Sequence, residues 1–453
     1  MKLAANRTRA LRMAVMSSLL GKGLSAVTQL ISFPMAVEAL GLERFGVYAM
    51  LTAVMMWINA GTALVGSSLT LKIVEAHANE ETSREVQLVS TAFLFAIVMA
   101  IFLALVLNIG VHYIDLNRLF SLNGSMNEIE VRRAAQCMSI LLPLSIVAAL
   151  ADSVYAGYQR QYITNILLSC SNLAVISGLV FVAKYPTIYA LIISILLPPV
   201  VARASSLAIL FIKNPAIFPR FRNAETGILK QLLHLGFGFS LMHIGSFAYL
   251  QYTVFSVGHT SGLRVAAYFS CMMQVIAIAG SILILVTQPL LPAITDARMR
   301  FQYDWIKAAN KRVLIMLCPL IIFSAIIIGM LGNSIISILL KRLVLLSDKE
   351  LWLWAVFFIL VAWEHIGYIF LVGLGRLPLA TGLYLSGALI MLLALHCKIF
   401  GSGISGVFAA MCLGPLCSTV FIYPWIIRRL IYNNVKLVAF HYCPVKRKSR
   451  DQI

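Results

Sequence analysis

Apolar residues along this chain come in blocks of about 20, separated by short stretches that collect the charges and the turn residues. Blocks of that length match the path of an α-helix through a hydrocarbon layer roughly 30 Å thick. Twelve are predicted, near residues 13–36, 45–68, 87–111, 134–157, 162–183, 187–210, 231–256, 265–291, 313–340, 351–374, 377–399 and 404–427. They do not alternate between apolar and polar over about ten residues as the strands of a membrane barrel would, so that class is excluded. The fold class predicted is an all-α polytopic membrane protein with about twelve transmembrane helices.

Within that pattern a sequence frame recurs. Leu20-Gly21-Lys22-Gly23-Leu24-Ser25 in the first block returns as Leu235-Gly236-Phe237-Gly238-Phe239-Ser240 in the seventh, keeping L-G-x-G-x-S. Phe45-Gly46-Val47-Tyr48, opening the second block, has a looser echo in Val265-Ala266-Ala267-Tyr268, opening the eighth. Two matches in the same order and the same relative blocks point to a duplication. Six helices per copy is an even number, so the copies are two parallel six-helix lobes around a central cavity, with the substrate path between them. The organisation expected is an N-terminal six-helix lobe over 1–212, an interlobe linker over 213–230, a C-terminal six-helix lobe over 231–430 and a basic tail over 431–453. No connection exceeds about 25 residues, which leaves no room for an inserted soluble catalytic domain.

Composition adds orientation to this picture. The 453 residues are 60% hydrophobic and 12% charged, with a formal net charge of +19. Segments on the side of both termini hold about 24 of the 36 lysines and arginines. The positive-inside rule therefore places both termini in the cytoplasm. The surplus charge is read as topology and attraction to anionic lipid headgroups, including in the tail with Lys446-Arg447-Lys448. No nucleic-acid partner is expected, because no reading module accompanies the tail. Eight cysteines without a CxxC pair indicate neither a zinc site nor a disulfide framework, and no other metal or cofactor is expected. There is no G-x-x-x-x-G-K-[ST] loop for ATP. The basic N-terminus is read as leading into a retained first helix.

Polar residues inside the apolar blocks are the candidates for chemistry. Lys22 lies about nine residues into the first block, where a cation costs roughly 2.5–3.5 kcal/mol on insertion scales. Ser18, Lys22, Ser25, Gln29 and Ser32 are spaced by four, three, four and three, which puts all five on one helix face. Such a stripe suits a watery cavity that receives an anion; the alternatives are that Lys22 snorkels to the surface or pairs with an acid. Glu364 falls near the middle of the tenth block beside His365, with Tyr368 one turn on. A midplane acid is uncommon enough to be a functional candidate. It could exchange protons with His365 sharing the task, or it could be a buried hydrogen-bonded cluster. Arg203 in the sixth block either snorkels or contacts phosphate. Asp152, near the end of the fourth, is set for an interfacial salt bridge or a coupling role.

The opening of the chain carries a resemblance. A polar first helix is followed by Leu40-Gly41-Leu42-Glu43-Arg44-Phe45-Gly46-Val47-Tyr48, an apolar span and a charged stretch from Lys72 to Glu85; Gly157-Tyr158-Gln159 closes the fourth span. This arrangement resembles the polysaccharide-export branch of the MOP flippase superfamily, the Wzx-type O-antigen flippases in particular. The resemblance implies a non-enzymatic carrier in the bacterial inner membrane that moves an undecaprenyl-diphosphate-linked oligosaccharide to the periplasmic leaflet by alternating access. Its implied partners are that lipid-linked substrate, H⁺ or Na⁺ as coupling ion, the bilayer, and the polymerase and chain-length proteins of the same pathway.

On that reading Lys22, Ser18, Ser25, Gln29 and Arg203 are the substrate-binding candidates, with Lys22 on the diphosphate, and Glu364, His365 and Asp152 the ion-coupling candidates. One rival is a MATE-like drug or metabolite antiporter, disfavoured because the first helix offers a lysine where that branch often has acids. A second is an integral-membrane polysaccharide polymerase, disfavoured by short outer loops.

Overall fold

In a computed structural model the chain is helical throughout, with no strand among the described residues. The structure describes residues 2–55, 57, 60–120, 122, 127–158, 160–287, 290–342, 344–401 and 403–431, with side chains from Leu20 onward except at 60–63, 78, 282, 285, 286, 292 and 296. The side chain of Ser18, and Asn59, Gln159 and the basic tail from 432 on, lie outside that set.

The helices among these residues are α1 Lys2–Met55, α2 Ala60–Ala78, α3 Thr82–Tyr113, α4 Leu116–Phe120, α5 Glu128–Gly157, α6 Tyr162–Lys184, α7 Ile188–Lys213, α8 Thr226–Phe247, α9 Thr253–Ser261, α10 Leu263–Thr287, α11 Leu290–Met299, α12 Tyr303–Leu340, α13 Asp348–Gly373, α14 Leu377–His396 and α15 Ile404–Ser418, followed by a helical stretch over 422–431. Ten helical stretches among the described residues are long and apolar enough to cross a membrane. Two of the expected spans are not separate members of that set. The second is the later part of α1 continued by α2, and the seventh is α8 running through a π-helical turn, Ala248–Tyr252, into α9.

The chain reverses inside α1 at Gly41, whose φ of 76° lies in the left-handed region that a side chain rarely adopts. The corresponding reversal after α9 is made by Gly262, with φ 96°. The same turn chemistry at both places is what a duplication would leave. The stretch expected as a charged loop from Lys72 to Glu85 is mostly helix, since α2 runs to Ala78 and α3 starts at Thr82. An i,i+3 pair, Lys72 to Glu75 at 2.7 Å, supports that extra turn, and it holds the Glu75 carboxyl below the usual range.

Hydrogen bonds between distant segments identify two ends of the bundle. At the end that carries Gly41, Arg44 donates to the Pro186 carbonyl at 2.9 Å, Arg264 pairs with Glu43 at 2.9 Å and Lys341 pairs with Glu38. At the opposite end, which carries the linker, the backbone N–H of Arg220 donates to Ser90 Oγ and that of Glu225 to Thr91 Oγ1, each at 3.0 Å. Tyr158 also lies there, donating to Glu85 Oε2 at 2.7 Å while His77 Nδ1 holds Oε1 at 2.9 Å. Burial and the Glu85 carboxylate push the Tyr158 hydroxyl up, so it keeps its proton and remains the donor.

The apolar core is divided unequally between these ends. One cluster joins the two halves, running from Ala36–Met55 through Phe120, Met138 and Leu191 to Phe269, Phe357 and Phe408. A second, separate cluster fills the linker end of the N-terminal half, around Leu69, Val89, Val154 and Leu210, and takes from the other half only Ile228 and Leu232 of α8. The halves are thus fused through a common core at the Gly41 end and only bridged at the linker end.

Candidate functional site

The space between the halves is where the polar stripe of α1 comes to lie. Gln29 is exposed, and Gln274 Nε2 on α10 donates to its Oε1 at 2.6 Å across the two halves. Two turns earlier on the same face, half-buried Lys22 lies within electrostatic reach of His365 on α13. Ser25 is half-buried between them, and Ser32 Oγ is buried without a hydrogen-bond partner. Gly21, beside Lys22, faces Ser169 Oγ and the Asn165 carbonyl of α6, so one edge of the stripe packs into its own half.

Glu364 and His365 are neighbours in sequence but about 100° apart around a helix, and they serve different surroundings. His365 is half-buried towards Lys22, with Nε2 at 2.8 Å from Thr287 Oγ1. Glu364 points into the C-terminal half, where it is 1% exposed and forms no ion pair among the described residues. Around it stand Tyr249, Tyr368, Tyr384, Tyr423 and Thr419. Glu364 Oε1 and the hydroxyls of Tyr249 and Tyr368 are buried without hydrogen-bond partners. Three orphaned polar atoms in one apolar interior is an expensive arrangement unless something polar joins them. The π-helical turn supplies Tyr249, and two glycines admit it: a Cβ on Gly387 or Gly414 would stand 2.6 or 2.5 Å from its hydroxyl oxygen.

Asp152 and Arg203 find each other. Arg203 Nε on α7 donates to Asp152 Oδ2 on α5 at 2.9 Å, with each side chain about a third exposed. The structure therefore brings one substrate-binding candidate and one coupling candidate together inside the N-terminal half. The Arg160 side chain near Asp152 in sequence is not its partner.

The L-G-x-E-R-F-G-x-Y stretch acquires a physical meaning residue by residue. Gly41 makes the reversal, Glu43 reaches across to Arg264, and Arg44 turns back to Glu130 at 3.5 Å and to Pro186. Phe45 is buried against Phe33, ring centroids 4.9 Å apart. Gly46 lets the other half approach, since a Cβ there would sit 2.0 Å from the Leu263 carbonyl oxygen. In the weaker match, Gly157 packs on Ile73 and Tyr158 bonds Glu85. Both stretches build contacts between helices; neither lines the cleft.

Sequence reasoning placed Tyr368 beside Glu364 but missed Gln274, Thr287 and the other three tyrosines, Tyr249, Tyr384 and Tyr423. Gln274 carried a usable signal, being an amide in an apolar block, whereas tyrosines from three separate helices give none until the helices pack.

Similarity to known proteins agrees with this architecture. The sequence profile described as polysaccharide biosynthesis protein matches residues 11–298. No curated protein sequence matches the chain. Among solved structures, the inward-facing conformation of a multidrug resistance MATE family transporter of the MOP superfamily superposes with a TM-score of 0.77 at 13% identity, covering 93% of this chain and 99% of that one. The outward-facing conformation of such a transporter gives 0.70 at 13% identity, over 95% and 97%. A MOP superfamily transporter from Pyrococcus furiosus, described by the reverse polarity of its binding pocket, gives 0.68 at 14% identity, over 95% and 97%. At such identities the likeness concerns the fold: an all-α, multi-pass membrane architecture.

Proposed function

Because the chain belongs to the polysaccharide biosynthesis protein family, we propose that it is a flippase for a lipid-linked oligosaccharide, not an enzyme. Its cargo on this reading is an undecaprenyl-diphosphate-linked glycan unit, carried by alternating access across the bacterial inner membrane with both termini in the cytoplasm. The observation that carries the reading is the α1 face: a half-buried lysine within electrostatic reach of His365 and an amide, Gln29, bonded to Gln274 of the other half. An ammonium in a partly dehydrated cleft attracts a diphosphate far more strongly than one in bulk water, and hydroxyls and amides suit sugar. The polyprenyl chain would stay in the bilayer at the edge of the cleft.

Energy on this reading comes from protons or Na⁺, with Glu364 as the coupling acid. The support is its isolation: a buried carboxyl without an ion-pair partner among the described residues, with one oxygen and the neighbouring Tyr249 and Tyr368 hydroxyls lacking hydrogen bonds, is a place that gains by taking up a cation. His365, one residue on, faces the cleft and could report that uptake to the cargo side.

The test is export in cells that depend on this chain for their surface glycan. Lys22→Ala should remain in the membrane and abolish export, and Lys22→Arg should restore part of it. Wild-type export by Lys22→Ala would remove the diphosphate assignment. Extrusion of cationic dyes by the wild type, unaffected by Lys22→Ala, would replace the flippase reading with that of a drug antiporter.

A further inference from the structure

A groove of about 840 Å³ opens in the C-terminal half, between α12, α13 and the helical stretch at 422–431. One face of α12 lines it as Asp304, Lys307, Lys311 and Leu314/Ile315, at spacings of three to four residues. Its back wall is Gly367 with Tyr423 packed on it, and Trp363, whose Nε1 donates to the Val420 carbonyl at 3.2 Å, closes the deep end.

The groove changes character along its length. Towards the linker end it carries Lys307, Lys311 and Arg428, all exposed, none with an ion pair or hydrogen bond among the described residues, against a single acid, Asp304. Further in it is apolar, with Leu314, Ile315, Ile366 and Ile427. The change falls at the start of the apolar block that begins near residue 313, so the cations lie at headgroup level and the apolar part at the level of acyl chains. A volume inside the roughly 300–1,000 Å³ of ordinary ligand pockets suits a headgroup and the first part of its chains.

We propose that this groove is a binding site for one anionic phospholipid of the linker-side leaflet, its phosphate held by Lys307, Lys311 and Arg428 and its chains laid along Ile315 and Ile366. The proposal is independent of the cargo in the cleft. Charge decides against the chain's own tail as occupant: residues 432–453 contain Lys436, Lys446, Arg447, Lys448 and Arg450 with one acid, Asp451, the same sign as the rim. Single-sign cations held together without partners favour an anion, and the leaflet beside them supplies it.

The experiment is native mass spectrometry of the full chain in detergent, titrated with phosphatidylglycerol or phosphatidylcholine. The wild type should retain one phosphatidylglycerol preferentially. K307Q/K311Q/R428Q should bind it roughly 10- to 100-fold more weakly. Ile315→Trp, which keeps every charge and fills the apolar part of the groove at a residue 63% exposed, should lose it as well. The control K213Q/R220Q/R222Q, equal in charge removed but on the linker, should bind as the wild type does. Equal loss in the control, equal retention of the two lipids, or undiminished binding by either groove variant would overturn the proposal. A rise in phosphatidylglycerol binding on deleting 432–453 would overturn it too, by giving the groove to the tail.

Discussion

The L-G-x-G-x-S frame occurs once in each half, and the two copies do different work. In α1 the frame points Lys22 and Ser25 towards the cleft, and Gly23 has open space where a side chain would stand. In α8 the position of Lys22 is Phe237, 59% exposed, and the glycine before it is a packing surface: a Cβ on Gly236 would lie 1.5 Å from the Leu64 carbonyl oxygen of α2. One copy has kept surface chemistry, and the other has become part of the joint between the halves. Two stretches can therefore share a frame while only one of them carries a cation.

The largest effect expected from breaking that contrast is at the joint. Gly236→Val drives a branched side chain into backbone that cannot rotate away, so a destabilisation of about 3 kcal/mol or more is expected, at the high end of overpacking. Gly23→Val should be nearly neutral by comparison. Thermal unfolding of the purified variants measures both, and equal shifts would remove the distinction between the copies.

Next comes the contrast in chemistry. Lys22→Ala should lower translocation roughly 10- to 100-fold, the loss of a charge-assisted contact of about 1.5–3 kcal/mol. Phe237→Ala should leave it within about 0.5 kcal/mol of the wild type, as for a surface change away from any site. Flipping of a fluorescent lipid-linked oligosaccharide in proteoliposomes is the assay. Comparable losses in both would mean that the two copies contribute alike.

A smaller effect separates the two acids. Asp152→Asn weakens a half-exposed pair with Arg203, worth about 1 kcal/mol once screened by solvent, and should show in unfolding more than in transport. Glu364→Gln keeps shape, removes a lone buried carboxyl, and should leave stability unchanged or raised while abolishing the gradient-dependent part of transport. The reverse pattern, stability lost at Glu364 and coupling lost at Asp152, would exchange their roles. Smallest of all is Glu43→Gln at the Gly41 end, where the pair with Arg264 is exposed and worth under about 1 kcal/mol. Its effect should vanish in high salt.

Much of this fold was legible in the chain. Blocks of about 20 apolar residues and the recurring frame need no tertiary information, because the bilayer requires every backbone polar group to be bonded within its own helix. Lys22 and Glu364 were legible for the same reason, since a charge in an apolar block is costly wherever the helix packs. Their surroundings were not. Glu364 and His365 are adjacent in the sequence and were read as one group, yet helical rotation turns one into the lobe and the other to the cleft. Asp152 and Arg203 stood as two separate candidates, 51 residues apart, and only the packing of α5 on α7 makes them a pair.

The sequence by itself determined that the chain crosses a membrane many times, where it turns and which side chains are too polar for their blocks, because those properties follow from solvation along a single helix. Tertiary structure alone decided that the halves share one core at the Gly41 end, that Lys22 looks towards the other half and that Glu364 sits among tyrosines without a counter-ion among the described residues. Those are properties of helix faces in contact, and one helix cannot specify which face another will present to it.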